Sequence, residues 1–249
     1  DVRQSNWGEN CNYRYDQYYQ FYNDGRFRTV EGAYGKGCGI TSVYRGLMRL
    51  DLAVGGTDGN DTIATWDGSG WQPVASESRW CPEGETHASC VGAVPGSNPE
   101  GYRFRLSDTQ SDSGYYIEPA RGQFDDAGQG DFEFVYALAH HADEGDDDLS
   151  IFNAGCCNDY NHGPEQYVNG ETISDSDIVL WYLPQMETDG EAPDYYCWTV
   201  AGEPTPETYP CFAGPMFVPY GGVVATVTPS PTSEATATPT ATVTVGPSV

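Results

Sequence analysis

The run that most resembles a set of metal ligands is His140-His141 followed by Asp143, Glu144 and Asp146-Asp147-Asp148. Imidazole and carboxylate together suit a metal, but neighbouring residues on a strand point to opposite faces, so the two histidines do not readily share one ion. The run reads instead as a strand end entering a solvated acidic loop, and His87 and His162 stand alone in turn-rich segments. Eight cysteines, Cys11, Cys38, Cys81, Cys90, Cys156, Cys157, Cys197 and Cys211, include no CxxC pair, and no histidine sits at ligand spacing from them, which argues against zinc. They read as disulfides of an oxidising compartment. Cys81 and Cys90 are expected to close a turn-rich loop; Cys11 with Cys38, and Cys156 or Cys157 with Cys197 or Cys211, are expected from proximity alone. Hard cations suit a chain with 37 Asp plus Glu better than transition metals do, and Asp58, Asp61 and Asp146 to Asp148 are weak calcium candidates without EF-hand spacing. No G-x-S-x-G elbow or phosphate loop occurs, and so many acids leave a glycosidase pair unassignable. The 18 Tyr and 6 Trp suit sugar stacking or, more commonly, cross-strand packing.

The elements that would carry these residues are short runs rich in Val, Ile, Tyr, Phe and Trp, closed by Asn, Asp and Gly. Tyr18 to Tyr22 precedes Asn23-Asp24-Gly25, and Leu47 to Val54 precedes Gly55-Gly56. Phe132 to Ala139 precedes the acidic loop, and Ile178 to Tyr182 precedes Pro184. Such runs read as strands, and no stretch between breakers holds a 3.6 period. Residues 1–221 are therefore expected to form an all-β antiparallel sandwich stabilised by disulfides.

A net charge of −26, from 11 Lys plus Arg against 37 acids, excludes nucleic acid as a partner. No run approaches the roughly 18 apolar residues that a helix needs to span a bilayer. The opening at Asp1 without Met fits a secreted or cell-surface protein after removal of a signal peptide. Asn60-Asp61-Thr62 is an N-glycosylation sequon in a turn.

Composition changes at Gly221. Residues 222–249 hold 8 Thr, 3 Ser, 4 Pro and one charge, Glu234, with no aromatic residue. Such a segment cannot bury enough apolar surface to fold alone and reads as a tail suited to O-glycosylation, with Thr236, Thr238, Thr240 and Thr242 as acceptors. Those residues and Thr244 also alternate with Ala235, Ala237, Ala241, Val243 and Val245, broken at Pro239. The pattern is a period-2 strand with one hydroxyl face and one small apolar face. A lone strand is unstable in water, so its partner is a sheet edge of this chain or of a second copy.

Asn12-Tyr13-Arg14-Tyr15, followed by Phe21-Tyr22-Asn23-Asp24-Gly25, resembles the cofactor region of copper amine oxidases, in which a Tyr matures to topaquinone. In the family's order, Arg49-Leu50-Asp51-Leu52 with Gly59-Asn60 resembles the strand after the copper-binding His-x-His. Asp177-Ile178-Val179-Leu180-Trp181-Tyr182 resembles the strand leading to the third copper His, and Gly214-Pro215-Met216-Phe217 resembles the closing strand. The resemblance spans roughly residues 12–217 and implies the sandwich of that family's catalytic domain, with Tyr13 at the quinone position.

It does not carry the chemistry. The His-x-His positions fall on Ser42 and Tyr44, and Glu187 and Thr188 stand where the third His belongs. None supplies the imidazole that copper(II) prefers. Arg14 replaces the acidic residue after the Tyr, and only twelve residues precede Tyr13, so the general base, which lies far upstream in the family, has no counterpart. The resemblance also implies a structural calcium site, of which Asp51 and Asp177 match two positions. Ala53 stands where another carboxylate belongs, and the carbonyls of Leu52 and Ile178 remain available. The expectation is a pseudoenzyme without copper, a secreted structural subunit whose tail joins other copies of itself head-to-tail into a filament. One alternative is an active copper oxidase with Tyr13 as quinone precursor and His140, His141 or His162 as ligands. The other is an adhesion or carbohydrate-binding domain on a glycosylated stalk.

Overall fold

The computed structural model describes residues 2–3, 13–35, 43–56, 59–82, 90–121, 133–141, 164–191, 197–200, 207–209 and 211–221. Cys11, Cys38, Cys156, Cys157, His87, His162, Ser42, Asp58, the run Asp146 to Asp148 and the tail, residues 222–249, lie outside them.

Strands are numbered in chain order. An eight-stranded sheet runs β1 (Val2–Arg3), β2 (Arg14–Phe21), β3 (Phe27–Tyr34), β16 (Cys211–Tyr220), β11 (Gly114–Arg121), β10 (Phe104–Asp108), β6 (Asp61–Trp66) and β7 (Trp71–Pro73). A second sheet runs β4 (Val43–Arg45), β13 (Ile178–Glu187), β12 (Glu133–Ala139), β8 (Ser78–Cys81) and β9 (Gly92–Ala93), with β5 (Met48–Asp51) also on β13. A small ladder pairs β14 (Trp198–Val200) with β15 (Glu207–Tyr209). Pairing is antiparallel except between β8 and β9. The body is the expected all-β sandwich.

Turn chemistry closes the hairpins. Between β2 and β3, Gly25 takes φ 84° and Asp24 Oδ1 accepts the Arg26 amide, as an Asn-Asp-Gly turn requires. Between β6 and β7, Asp67 Oδ1 accepts the amides of Ser69 and Gly70 at 2.8 Å.

Alternation builds the core. Ile63, Phe104, Leu106, Ile117 and Phe217 of the large sheet meet Met48, Leu50, Trp80, Val135, Ala137, Leu180 and Tyr182 of the small one. The other faces of β12 and β13 are buried too, through Phe134, Tyr136, Leu138, Val179, Trp181 and Leu183. Burial on both sides explains why these two strands read as nearly unbroken apolar runs instead of alternating ones.

The structure differs from expectation at Pro184, where β13 does not stop but continues to Glu187. The neighbouring strand absorbs the missing N–H. Tyr182 pairs with Met48 and Gln185 with Arg45 in one continuous register, and pairing lapses between them at Gly46-Leu47, which separates β4 from β5. The run Leu47 to Val54 is likewise shorter, ending as a strand at Asp51 and turning through a 3-10 helix, Val54–Gly56.

The cysteines give one confirmation and one correction. Cys81–Cys90 is bonded as expected, but Cys197 bonds Cys211, not Cys156 or Cys157. The reason is topological: Cys197 follows the chain's exit from β13, and its carbonyl accepts the Gly35 amide beside the start of β16.

Candidate functional site

β13 links two chemically opposite poles. Tyr44 pairs with Met186 near its C-terminal end, and Ala139 pairs with Ile178 at its start. Met186 and Ile178 are eight residues apart, roughly 26 Å at about 3.3 Å per residue.

The first pole holds Tyr13, for which the sequence resemblance implies the quinone position. Its ring stacks on Tyr15 at 6.1 Å and meets Tyr44 edge-on at 6.1 Å, while Tyr15 meets Tyr44 at 5.9 Å. Beneath lie Met186, Ala33, Ala213 and the Cys197–Cys211 bond. Burial and the neighbouring Tyr13 push the Tyr15 phenol up to about 12. Burial, then Tyr15 and Tyr13, raises Tyr44 well above the ordinary tyrosine range. The Tyr44 hydroxyl is buried and finds no hydrogen-bond partner among the described residues. Arg14 turns away from this cluster to Asp16 at 2.8 Å and lies over the Tyr34 ring at 4.4 Å. Burial pushes Asp16 up, but hydrogen bonds from Arg14, Tyr18 and Tyr34 outweigh it and hold the carboxylate below its usual value.

Among the described residues, the donors around Tyr13 do not suit copper. Of the residues that the resemblance sets at copper-ligand positions, Tyr44 and Thr188 are buried and Glu187 is exposed. A phenol without its own base and a thioether make a poor copper(II) set. The described histidines lie at the far end of β13. The Arg49 guanidinium donates to His140 Nδ1 at 3.3 Å, and His141 Nε2 pairs with Glu171 at 2.9 Å. The two imidazoles thus turn to different neighbours, and neither is near Tyr13.

The second pole is acidic. Asp51 ends β5, Asp177 precedes β13, and Asp61 and Asp108 face each other across the β6–β10 ladder. Asp61 is 0% exposed. Neither of its oxygens accepts a hydrogen bond of regular geometry among the described residues, and the Ile178 amide beside it offers only a partial counterweight. Burial first, then the charges of Asp177, Asp108 and Asp51, pushes its carboxyl up to about 8. Asp108 Oδ1 is engaged by the amides of Gln110 and Ser111, and Asp51 by Arg49 at 3.3 Å. Gly55, with φ 70°, passes so close that a Cβ would lie 2.6 Å from Asp108 Oδ2. Among the described residues no three His, Cys, Asp or Glu side chains converge closely enough to hold a metal as they stand. The donor chemistry nonetheless suits a hard cation, because Asp61 brings two unpartnered buried oxygens to the two predicted aspartates.

The resemblance pointed to Asp51 and Asp177, whereas Asp61 appeared only as a weak candidate and Asp108 not at all. The missed signal is parity. Asp61 alternates with core-facing Ile63, and Asp108 with Phe104 and Leu106, so both carboxylates sit where an apolar residue is expected. The sequon's Asn60 is half-buried with φ 63°, and its carbonyl accepts the Thr109 amide.

The molecule is thus a disulfide-stapled β-sandwich with one ring-filled and one acid-lined pole. No family profile and no curated protein matches the chain. Among solved structures it is similar to Pichia pastoris lysyl oxidase, at 14% identity and a TM-score of 0.48, over 84% of this chain and 33% of that one. A 1.23 Å structure of that oxidase gives 16% and 0.49 over the same shares. An Aspergillus nidulans amine oxidase gives 12% and 0.35, over 84% and 32%. The chain spans about a third of the length of these oxidases.

Proposed function

We propose that this is a secreted, catalytically silent structural subunit of an extracellular filament, joined head-to-tail through residues 222–249. The observation that carries the silence is the tyrosine cluster. Tyr13 packs against rings where a quinone would need a copper centre, and both described histidines lie roughly 26 Å away along β13. Extracellular residence is supported by two disulfides, and no described helix is long and apolar enough to cross a membrane. The joining role rests on the tail, whose alternating Thr and small apolar residues carry a single charge while the body carries nearly all of the −26. Such a strand adds to another molecule's sheet without repulsion, and its Thr face, hydrated or glycosylated, keeps the outside soluble. At the acidic pole a calcium ion held by Asp51, Asp61 and Asp177, with the Leu52 and Ile178 carbonyls, supplies the positive charge that these carboxylates lack.

Deletion of residues 222–249 abolishes polymers seen by negative stain on this reading, and intact polymers after the deletion reject it. A redox-cycling quinone stain of the purified protein stays blank; a positive stain restores the copper oxidase with Tyr13 as quinone. One observation favours an adhesion or carbohydrate-binding role. The outer face of the large sheet carries a row of half-buried rings, with Trp66 on Trp71, Trp71 on Tyr116, and Tyr116 between Tyr102 and Tyr220. Glycan binding that survives the tail deletion selects that role.

A further inference from the structure

The large sheet has two edges of different character. At one, β7 is three residues long and ends in Pro73, a blunt edge of the kind that prevents unwanted pairing. At the other, β1 covers only Arg14 and Tyr15 of β2. From Asp16 to Phe21, β3 pairs with β2 on one side, and no described strand lies on the other. Edges of that length normally carry Lys, Pro or a bulge. This one reads Asp16-Gln17-Tyr18-Tyr19-Gln20-Phe21, and its one charge is already paired with Arg14.

The same segment holds the main apolar exposure of the body. Tyr18, Tyr19, Phe21 and Tyr22 are four of the six exposed large hydrophobic residues among the described ones, with Tyr19 at 61% and Phe21 at 79%. The patch is anchored in the core, since Phe21 stacks on Phe27 at 6.2 Å and Phe27 on Phe217 at 4.6 Å. It is therefore a preformed surface.

Resting on the filament reading, we infer that the outer edge of β2, Asp16 to Phe21, accepts residues 235–245 of a second copy as an added strand. Main-chain bonds complete the ladder, and Ala235, Ala237, Ala241, Val243 and Val245 present a face small enough to settle beside Tyr19 and Phe21. Charge selects the occupant: a body this acidic repels acidic segments, whereas residues 235–245 carry no charge. Reach permits either copy: the 13 intervening residues, 222–234, are long enough to span about 40 Å at roughly 3.1 Å per residue, more than the about 14 Å, three strand spacings, from β16 to a place beside its own β2. The choice of a second copy therefore comes from the filament reading, and the sedimentation test below separates the two.

The test uses the full-length chain. Tyr19→Lys with Phe21→Lys alters two exposed side chains and is expected to lower polymer mass in sedimentation at least tenfold, with thermal melting unchanged. Phe21→Ser, a milder change, lowers it less. A synthetic peptide of residues 235–245 in excess shortens wild-type filaments and leaves the double variant unaffected. Intact polymers in the double variant, together with loss of polymers in Ala237→Asp with Ala241→Asp, place the acceptor elsewhere; this overturns the inference and spares the filament reading. Intact polymers in both pairs overturn both. A wild-type chain that stays monomeric at every concentration and resists the peptide overturns the inference by making the occupant the chain's own tail.

Discussion

The two ends of β13 show two ways of placing polar groups in a sandwich. At the Met186 end, three tyrosines and a disulfide fill the space with rings, and the perturbed groups are phenols that stay neutral at physiological pH and one carboxyl, Glu31, beside Ala213. At the Ile178 end, carboxylates from three separate segments crowd around Asp61 and push it up to about 8. A ring-filled end is stable as it stands. An acid-lined end is stable only with a proton or a cation. The contrast separates what the chain needs for its fold from what it offers to a ligand.

The largest expected effect is at the ring-filled end. Tyr44→Ala removes the ring shared by Tyr13, Tyr15 and Met186, and deletion of a buried aromatic side chain costs about 3–5 kcal/mol. Denaturant titration should show that loss with calcium present or absent. A loss that calcium repairs would mean that the two ends are coupled and the contrast is false.

The next effect belongs to the acidic end. A cation at a hundredfold excess over its Kd adds about 2.7 kcal/mol. For a chain of this size that raises the melting midpoint by roughly 5–10 °C. Calcium should do so in wild type and not in Asp61→Asn; an equal shift in both variants places the cation elsewhere. The proton tests the same end without metal. An ordinary aspartate ionises near 3.9, whereas Asp61 in the folded chain holds its proton up to about 8. Glu31, beside the ring-filled end, is also raised by burial, to about 7, against a hydrogen bond from Gln17, so Asp61→Asn is what isolates the acidic end's share. Both folded values lie above the unfolded ones, so the stabilisation is complete below about pH 4 and is lost as pH rises through 7 and 8. With chelator present, melting midpoints should fall over that window, and less steeply in Asp61→Asn. A flat profile would mean that Asp61 is solvated or paired.

The sequence exposed these two ends unequally. The sandwich followed from short β-rich runs and turn residues, and the Asn23-Asp24-Gly25 and Asp67-Gly68 turns fold as their side chains dictate. Asp51 and Asp177 were singled out only through the resemblance to copper amine oxidases, which implies a calcium site there. The ring cluster was not, because Tyr13, Tyr44 and Met186 are far apart in the chain and only the β4–β13 register brings them together. The Cys197–Cys211 bond was hidden for the same reason: cysteine spacing carries no information about which strands meet. Pro184 misled because a proline ends a strand only when its missing N–H is needed, and here the neighbouring strand breaks instead.

The smallest effect is the sharpest test of the ring-filled end. Tyr44 carries a hydroxyl that is buried, raised in pKa by burial and without a partner among the described residues, where a Cβ on Gly35 would lie 3.2 Å from it. A buried polar group left unsatisfied costs about 1–3 kcal/mol, and replacing it by an apolar group of the same shape restores much of that. Tyr44→Phe should therefore be neutral or more stable by about 1 kcal/mol, a shift of roughly 2–4 °C. If the end exists only to pack, that gain comes without cost to polymer formation. If the hydroxyl instead serves a bound metal or the oxidation of Tyr13, Tyr44→Phe loses stability or quinone signal while the ring packing stays intact. The sign of this one substitution thus distinguishes a filled cavity from a functional site.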